Sequence, residues 1–99
     1  MKHKHYSPRA AVVLVDVVGV PRSLRLPVLT ERVGFIGLNS PDAPFEIERI
    51  CGSVREYAHS IFEFFRECDR NGIDTIVCEA VDENGIGAAL MDRLRRAAE

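Results

Sequence analysis

Many familiar functional signatures are missing from this chain, and each omission narrows what it does. Its three cysteines, Cys51, Cys68 and Cys78, have no C-x-x-C spacing, and any pairing leaves one over. They sit beside apolar residues, which points to buried reduced thiols rather than a zinc site or a disulfide framework. The G-x-G-x-x-G and Walker phosphate loops do not occur, and no serine or cysteine carries a triad signature. Charge of one sign is lacking too. Thirteen basic against 15 acidic residues give a formal charge of −2, which leaves no nucleic-acid footprint for the domain as a whole.

Long apolar runs are equally scarce. Met1–Arg9 is basic and precedes the apolar stretch from Ala10 to Val20, in the order of a secretory leader. Asp16 interrupts that stretch, no small-x-small cleavage site follows, and the run is too short to span a bilayer. The expectation is a cytoplasmic protein with neither signal peptide nor membrane segment. There is no internal repeat and no low-complexity segment.

What is present is the pattern of one α/β domain. A chain of 99 residues with 46% hydrophobic content is normal for a single globular unit. Residues 1–9 read as an N-terminal arm, polar and without periodicity, and residues 10–99 as the domain. Ala10–Val17 is a near-continuous β-branched run, the mark of a strand covered on both faces. Arg22–Arg32 is a weak helical segment that Pro27 would kink. Val33–Leu38 is a second buried strand, and Asn39–Pro44 a loop. Phe45–Cys51 alternates apolar and acidic residues and reads as an edge strand in preference to a helical turn.

Ser53–Asn71 is the clearest helix. Ser53 and Glu56 form an S-x-x-E capping box, apolar residues from Val54 to Cys68 recur at helical spacing, and Asn71-Gly72 supplies the stop. Truncating Phe62 or Phe65 should cost roughly 3–5 kcal/mol where the ring is fully buried. Ile73–Glu79 is a further strand, Ala80–Asn84 a polar loop, and Gly87–Ala98 a closing helix with arginines late in it. This order predicts a small three-layer α/β domain of Rossmann-like type, with a mainly parallel sheet of about four strands.

Candidate sites follow from that layout, because ligands in open α/β domains gather where strands end and helices begin. Gly85-Ile86-Gly87 opens the last helix, so its backbone N–H groups are available to an anion, with Arg93 as a companion; a tight turn for close packing is the plainer account. Asp16 and Glu79 fall near strand ends, either as paired carboxylates for a metal or acid–base work or as hydrogen-bond acceptors for loops. Cys78 reads as a core thiol before a nucleophile. His59 falls on the solvated side of the long helix. His3 would complete a copper or nickel site if Met1 keeps a free amine, a reading treated as incidental.

Two stretches carry a family resemblance. KHKHYSPRAAVVLV, from Lys2 to Val15, is similar to the Lys-x-Arg/Lys-His-Tyr-Ser/Ala-Pro linker of two-domain L-threonylcarbamoyladenylate synthases. EYAHSIFEFFRECDRNGIDTIVCEAVDENGIGAALMDRLRRAA, from Glu56 to Ala98, resembles that family's D-x-x-G-[VI]-D block and its G-[IL]-G ending in the accessory C-terminal domain. Residues 18–52 match only loosely. The resemblance implies a Rossmann-like accessory domain without the YrdC-type catalytic domain that binds ATP, threonine and bicarbonate. It implies no intrinsic cofactor, since ATP and Mg²⁺ belong to that catalytic partner.

In the family the linker lies over the catalytic site, so Lys2, His5 and Tyr6, with Lys4 beside them, become the expected ligand contacts. A basic arm with an aromatic ring suits a nucleotide or pyrophosphate, by neutralising phosphates and stacking on a base. The expected role is a domain of threonylcarbamoyl-AMP synthesis, for tRNA modification, that acts with a YrdC-type catalytic partner, without direct nucleic-acid binding. Three other readings stay open at this point. One is a free-standing nucleotide- or phosphate-binding module using Gly85, Gly87 and Arg93. Another is a homodimer or scaffold pairing through Phe45–Cys51. The last is a weak nucleoside triphosphate hydrolase, for which neither Asp16 nor Glu79 has a partner motif.

Overall fold

The computed structural model describes residues 8–15, 32–40 and 45–98. In chain order these form β1 (Ala11–Val15), β2 (Val33–Gly37), β3 (Ile47–Ile50), α1 (Val54–Arg70), β4 (Thr75–Glu79) and α2 (Ile86–Ala98). The strands make one sheet in the order β1-β4-β2-β3, and all three pairings are parallel. β4 is therefore central, with Val13 opposite Val77 on one side and Phe35 opposite Val77 on the other. All five of its residues are buried, which explains why TIVCE lacks the polar alternation of a half-exposed strand.

Successive side chains point to opposite faces, and two apolar clusters divide accordingly. Val12, Leu14, Ile36, Ile76 and Cys78 meet both helices, through Ile61, Phe64 and Phe65 of α1 and Leu90, Met91 and Leu94 of α2. Val13, Val15, Val33, Phe35, Val77 and Phe45 form the second cluster, on the other face. Both described helices thus lie against one face. The segment expected to form another layer, Arg22–Arg32, lies outside the described residues apart from Arg32, as do Asp16 and the arm up to Ser7.

The expected α1 begins and ends where its caps place it. Ser53 is the N-cap, and its hydroxyl accepts from Glu56 N at 3.1 Å. The returning bond of the box reaches Gly52 N at 3.1 Å, not Ser53 N. At the other end Cys68 O accepts from both Asn71 N and Ile73 N, and Gly72 takes φ +69. That closure delays the next strand. Ile73 N is committed to the helix end and Asp74 N to Arg32 O, so β4 starts at Thr75 and not at Ile73. Phe64 and Phe65 are fully buried, whereas Phe62 is only partly so and lies at a groove described below.

β3 is an edge strand, shorter than the Phe45–Cys51 reading, with Ile50 turned to solvent. No helix among the described residues is long and apolar enough to cross a membrane.

Candidate functional site

The carboxyl end of the central strand is held by an unusual buried acid. Glu79 is only 5% exposed. Its Oε1 accepts from Leu38 N at 2.7 Å and Asn39 N at 3.0 Å, and its Oε2 accepts from Asn39 Nδ2 at 2.8 Å. Both oxygens are thus engaged by the residues that follow β2. The Glu79 side chain crosses directly over Gly37. A Cβ at Gly37 would lie 2.5 Å from Glu79 Oε1 and 2.6 Å from its Cβ, so only glycine fits beneath it. Tyr57, fully buried in α1, donates its hydroxyl to Glu79 O at 2.7 Å. Burial pushes the Tyr57 phenol well above its ordinary range, which keeps the proton on the donor.

This arrangement favours the loop-holding reading of Glu79. The carboxylate binds the start of a loop to the central strand, and a buried charge needs such donors to be tolerated. Its earlier partner, Asp16, lies outside the described residues, so the pairing of the two is not placed. Among the described residues no group of three His, Cys, Asp or Glu side chains is arranged to hold a metal ion.

The cysteines are free and buried. Burial, with Cys68 nearby, pushes the Cys78 thiol up, and burial followed by the charges of Glu67 and Asp69 pushes Cys68 up to about 12. Cys51 is raised by burial first and by Glu56 second. Such thiols remain protonated at neutral pH and are poor nucleophiles.

The G-I-G segment opens α2 one residue earlier than expected, at Ile86. Gly85 takes φ +56, and a Cβ at Gly87 would run into the carbonyl of Asp82. Gly87 N donates to Asn84 O at 2.9 Å and Ala88 N to Gly85 O at 3.0 Å. The glycines therefore allow a tight turn and a close approach of loop to helix. Arg93 shares a groove with Ile86, the middle residue of that segment. Its guanidinium lies over the Phe62 ring, 5.7 Å from the centroid, in a groove between α1 and α2. The groove measures about 380 Å³ and is lined by Arg55, Ala58, His59, Phe62, Ile86 and Arg93. His59 is solvent-exposed there, as expected.

Lys2, Lys4, His5 and Tyr6 lie outside the described residues, but the root of their arm is defined. Asp69 Oδ1 accepts from Arg9 N at 3.1 Å, and Asp74 O accepts from Ala11 N at 3.0 Å. Asp74 Oδ2 accepts from Arg32 N at 2.9 Å, while the Arg32 guanidinium reaches Asn71 O and Glu46. The D-x-x-G-[VI]-D block, here Asp69 to Asp74, thereby ties the arm root and the entry to β2 onto the end of α1. This role was not evident beforehand, nor was the clamp formed by Asn39 and Tyr57. Asp69 and Asp74 flank the helix stop in sequence, and only the long-range contacts give them partners.

The family profile described as "Threonylcarbamoyl-AMP synthase, C-terminal domain" matches residues 1–99.

This chain belongs to that family.

The Threonylcarbamoyl-AMP synthase of Pyrococcus abyssi is 36% identical over 104 residues, and that of Bacillus subtilis 26% identical over 108. These alignments take in 98% and 99% of this chain but only 30% and 31% of the relatives. The chain thus spans under a third of the curated synthases it matches.

Solved structures agree. P. abyssi Sua5 complexed with L-threonine superposes with a TM-score of 0.73 at 36% identity, covering 99% of this chain and 31% of that one. The C-terminal Sua5 domain from Pyrococcus horikoshii superposes with a TM-score of 0.59 at 31% identity, covering 90% of this chain and 93% of that one. A P. abyssi Sua5 variant with a His and a Tyr replaced by alanine gives 0.61 at 41% identity over 70% of this chain and 21% of that one. The C-terminal domain of threonylcarbamoyl-AMP synthase is therefore the architecture described above.

Proposed function

We propose that this chain is a noncatalytic accessory domain of threonylcarbamoyl-AMP synthesis and acts with a YrdC-type catalytic domain. The observation that carries this reading is the match of the family's C-terminal domain across residues 1–99, set against relatives of which the chain spans only 30% and 31%. ATP, Mg²⁺ and the adenylate chemistry belong to the catalytic partner, in the cytoplasm, and the reaction serves tRNA modification. The engagement of both Glu79 oxygens by loop donors supports a platform role for the strand ends.

In this reading Lys2, Lys4, His5 and Tyr6 meet the partner's substrate, a nucleotide or its pyrophosphate product. The His and Tyr replaced together in the P. abyssi variant support it, because His5-Tyr6 is the one adjacent His–Tyr pair in this sequence. The bond from Arg9 N to Asp69 supports it too, since it fixes where the arm leaves the domain.

The test is to mix the chain with a separately produced YrdC-type catalytic domain and to measure association and threonylcarbamoyl-adenylate formation. Association with a changed rate is the expected outcome. Absence of both overturns the reading.

A further inference from the structure

The groove between α1 and α2 has an unusual surface for this chain. The molecule as a whole is mildly acidic, at −2. Yet the groove gathers Arg55, His59 and Arg93 around Phe62 and Ile86. Ile86 is 41% exposed and, with Ile50, one of two exposed large hydrophobic residues among the described residues. Arg32, Arg49, Arg95 and Arg96 each face a carboxylate. Neither Arg55 nor Arg93 has a carboxylate partner among the described residues, and Arg93 is instead stacked on Phe62.

An aromatic ring, an exposed aliphatic residue and unpaired arginines are the composition of a protein-binding hot spot. The α2 turn explains how Ile86 comes to be there. Gly87 must sit against the Asp82 carbonyl, and the helix starts with Ile86 exposed at the groove that Phe62 also lines.

We propose that this groove is the docking surface for an acidic, apolar-centred face of the YrdC-type catalytic domain. This rests on the accessory reading above. The occupant is argued from charge and from chain length. Two arginines and a histidine around an apolar centre call for carboxylates around an apolar knob. The relatives carry more than twice as much chain again outside the part matched here, so a much larger neighbour accompanies this domain in each of them.

A groove lined by six residues is too small for a tight interface between free proteins, which usually takes about 20–30 residues a side. It suits two domains joined by a linker, where the local concentration reaches about the millimolar range. A salt-sensitive association of modest affinity in trans follows, since exposed charges are screened over about 10 Å at 0.1 M salt.

The experiment titrates the isotopically labelled chain with a separately produced YrdC-type catalytic domain and follows backbone amide shifts. Shifts concentrated on residues 55–62 and 86–93 are expected. The double variant R55E/R93E should bind at least tenfold more weakly, and Ile86→Ser should also weaken binding. Arg66→Glu, an exposed charge reversal on α1 that does not line the groove, should bind like the parent. All four positions are exposed, and a thermal melt confirms that each variant is folded.

If the parent associates but its shifts lie elsewhere, or R55E/R93E binds unchanged, the groove assignment is overturned while the accessory reading stands. If the parent does not associate at all, both fall.

Discussion

The substitution Gly37→Ala gives a direct measure of how the strand-end acid is built. The added Cβ would stand 2.5 Å from Glu79 Oε1, 2.6 Å from Glu79 Cβ and 3.0 Å from the edge of the Phe35 ring. Two of those atoms belong to a side chain that is buried and held by three hydrogen bonds. Relief requires moving Glu79 off Leu38 N, Asn39 N and Asn39 Nδ2. Overpacking alone costs about 1–3 kcal/mol, and each bond to a charged group contributes about 1.5–3 kcal/mol when lost. Since the backbone donors near the loop regain some water, a total of about 3–6 kcal/mol is expected. That is a large part of the roughly 5–15 kcal/mol stability of a small domain.

Glu79→Gly removes both close atoms, at its own cost in bonds and strand propensity. Gly37→Ala added to Glu79→Gly should then cost less than about 2 kcal/mol more, the residue being the Phe35 contact. Urea unfolding of the parent, the two single variants and the double variant completes the cycle. A coupling of at least about 1 kcal/mol is expected. Additive effects would show that Gly37 and Glu79 do not share this space and would refute the reasoning.

Three further outcomes follow from the same contacts. Tyr57→Phe leaves Glu79 O without its 2.7 Å donor and should lower the unfolding free energy by about 1–3 kcal/mol in urea titration. Raised thiol pKa values predict alkaline instability. The unfolded chain releases thiol protons near 9.0, while the folded chain keeps the Cys68 proton to about 12 and holds that of Cys78 as well. The folded state then binds more protons, so stability falls as pH rises above 9, by up to about 1.4 kcal/mol per pH unit for each thiol. Urea midpoints between pH 7 and 10 should show this slope, and Cys68→Ala should make it shallower. Asp69→Ala should speed amide exchange at Arg9 about fivefold or more, whereas Asp69→Asn keeps an acceptor in place and should retain most of the protection.

The described strands and helices were largely legible because their signals are local. Ser53 and Glu56 announce the start of α1, Asn71-Gly72 its end, and the TIVCE run its burial on both faces, whereas AVVLV forms an edge strand with Ala11 exposed and Val13 and Leu14 only partly buried. The start of β4 was misplaced by two residues, since Ile73 and Asp74 look strand-like yet serve the helix end and Arg32. The site was harder to read. Glu79 was visible as an acid near a strand end, but its partners, Leu38 and Asn39, lie about forty positions away in sequence. Arg93 looked like a companion to G-I-G, and it does share a groove with Ile86. Helical geometry also turns Arg93 toward Phe62 on α1. The arm was legible only through its resemblance to the family linker, and residues 1–7 are not described.

The most direct test of the accessory role is the rate of threonylcarbamoyl-adenylate formation by a YrdC-type catalytic domain, measured with and without this chain and with its H5A/Y6A variant. The account predicts that the parent chain changes the rate, and that the variant still associates but loses the effect. A rate that is the same with the parent chain, the variant and no addition would contradict it.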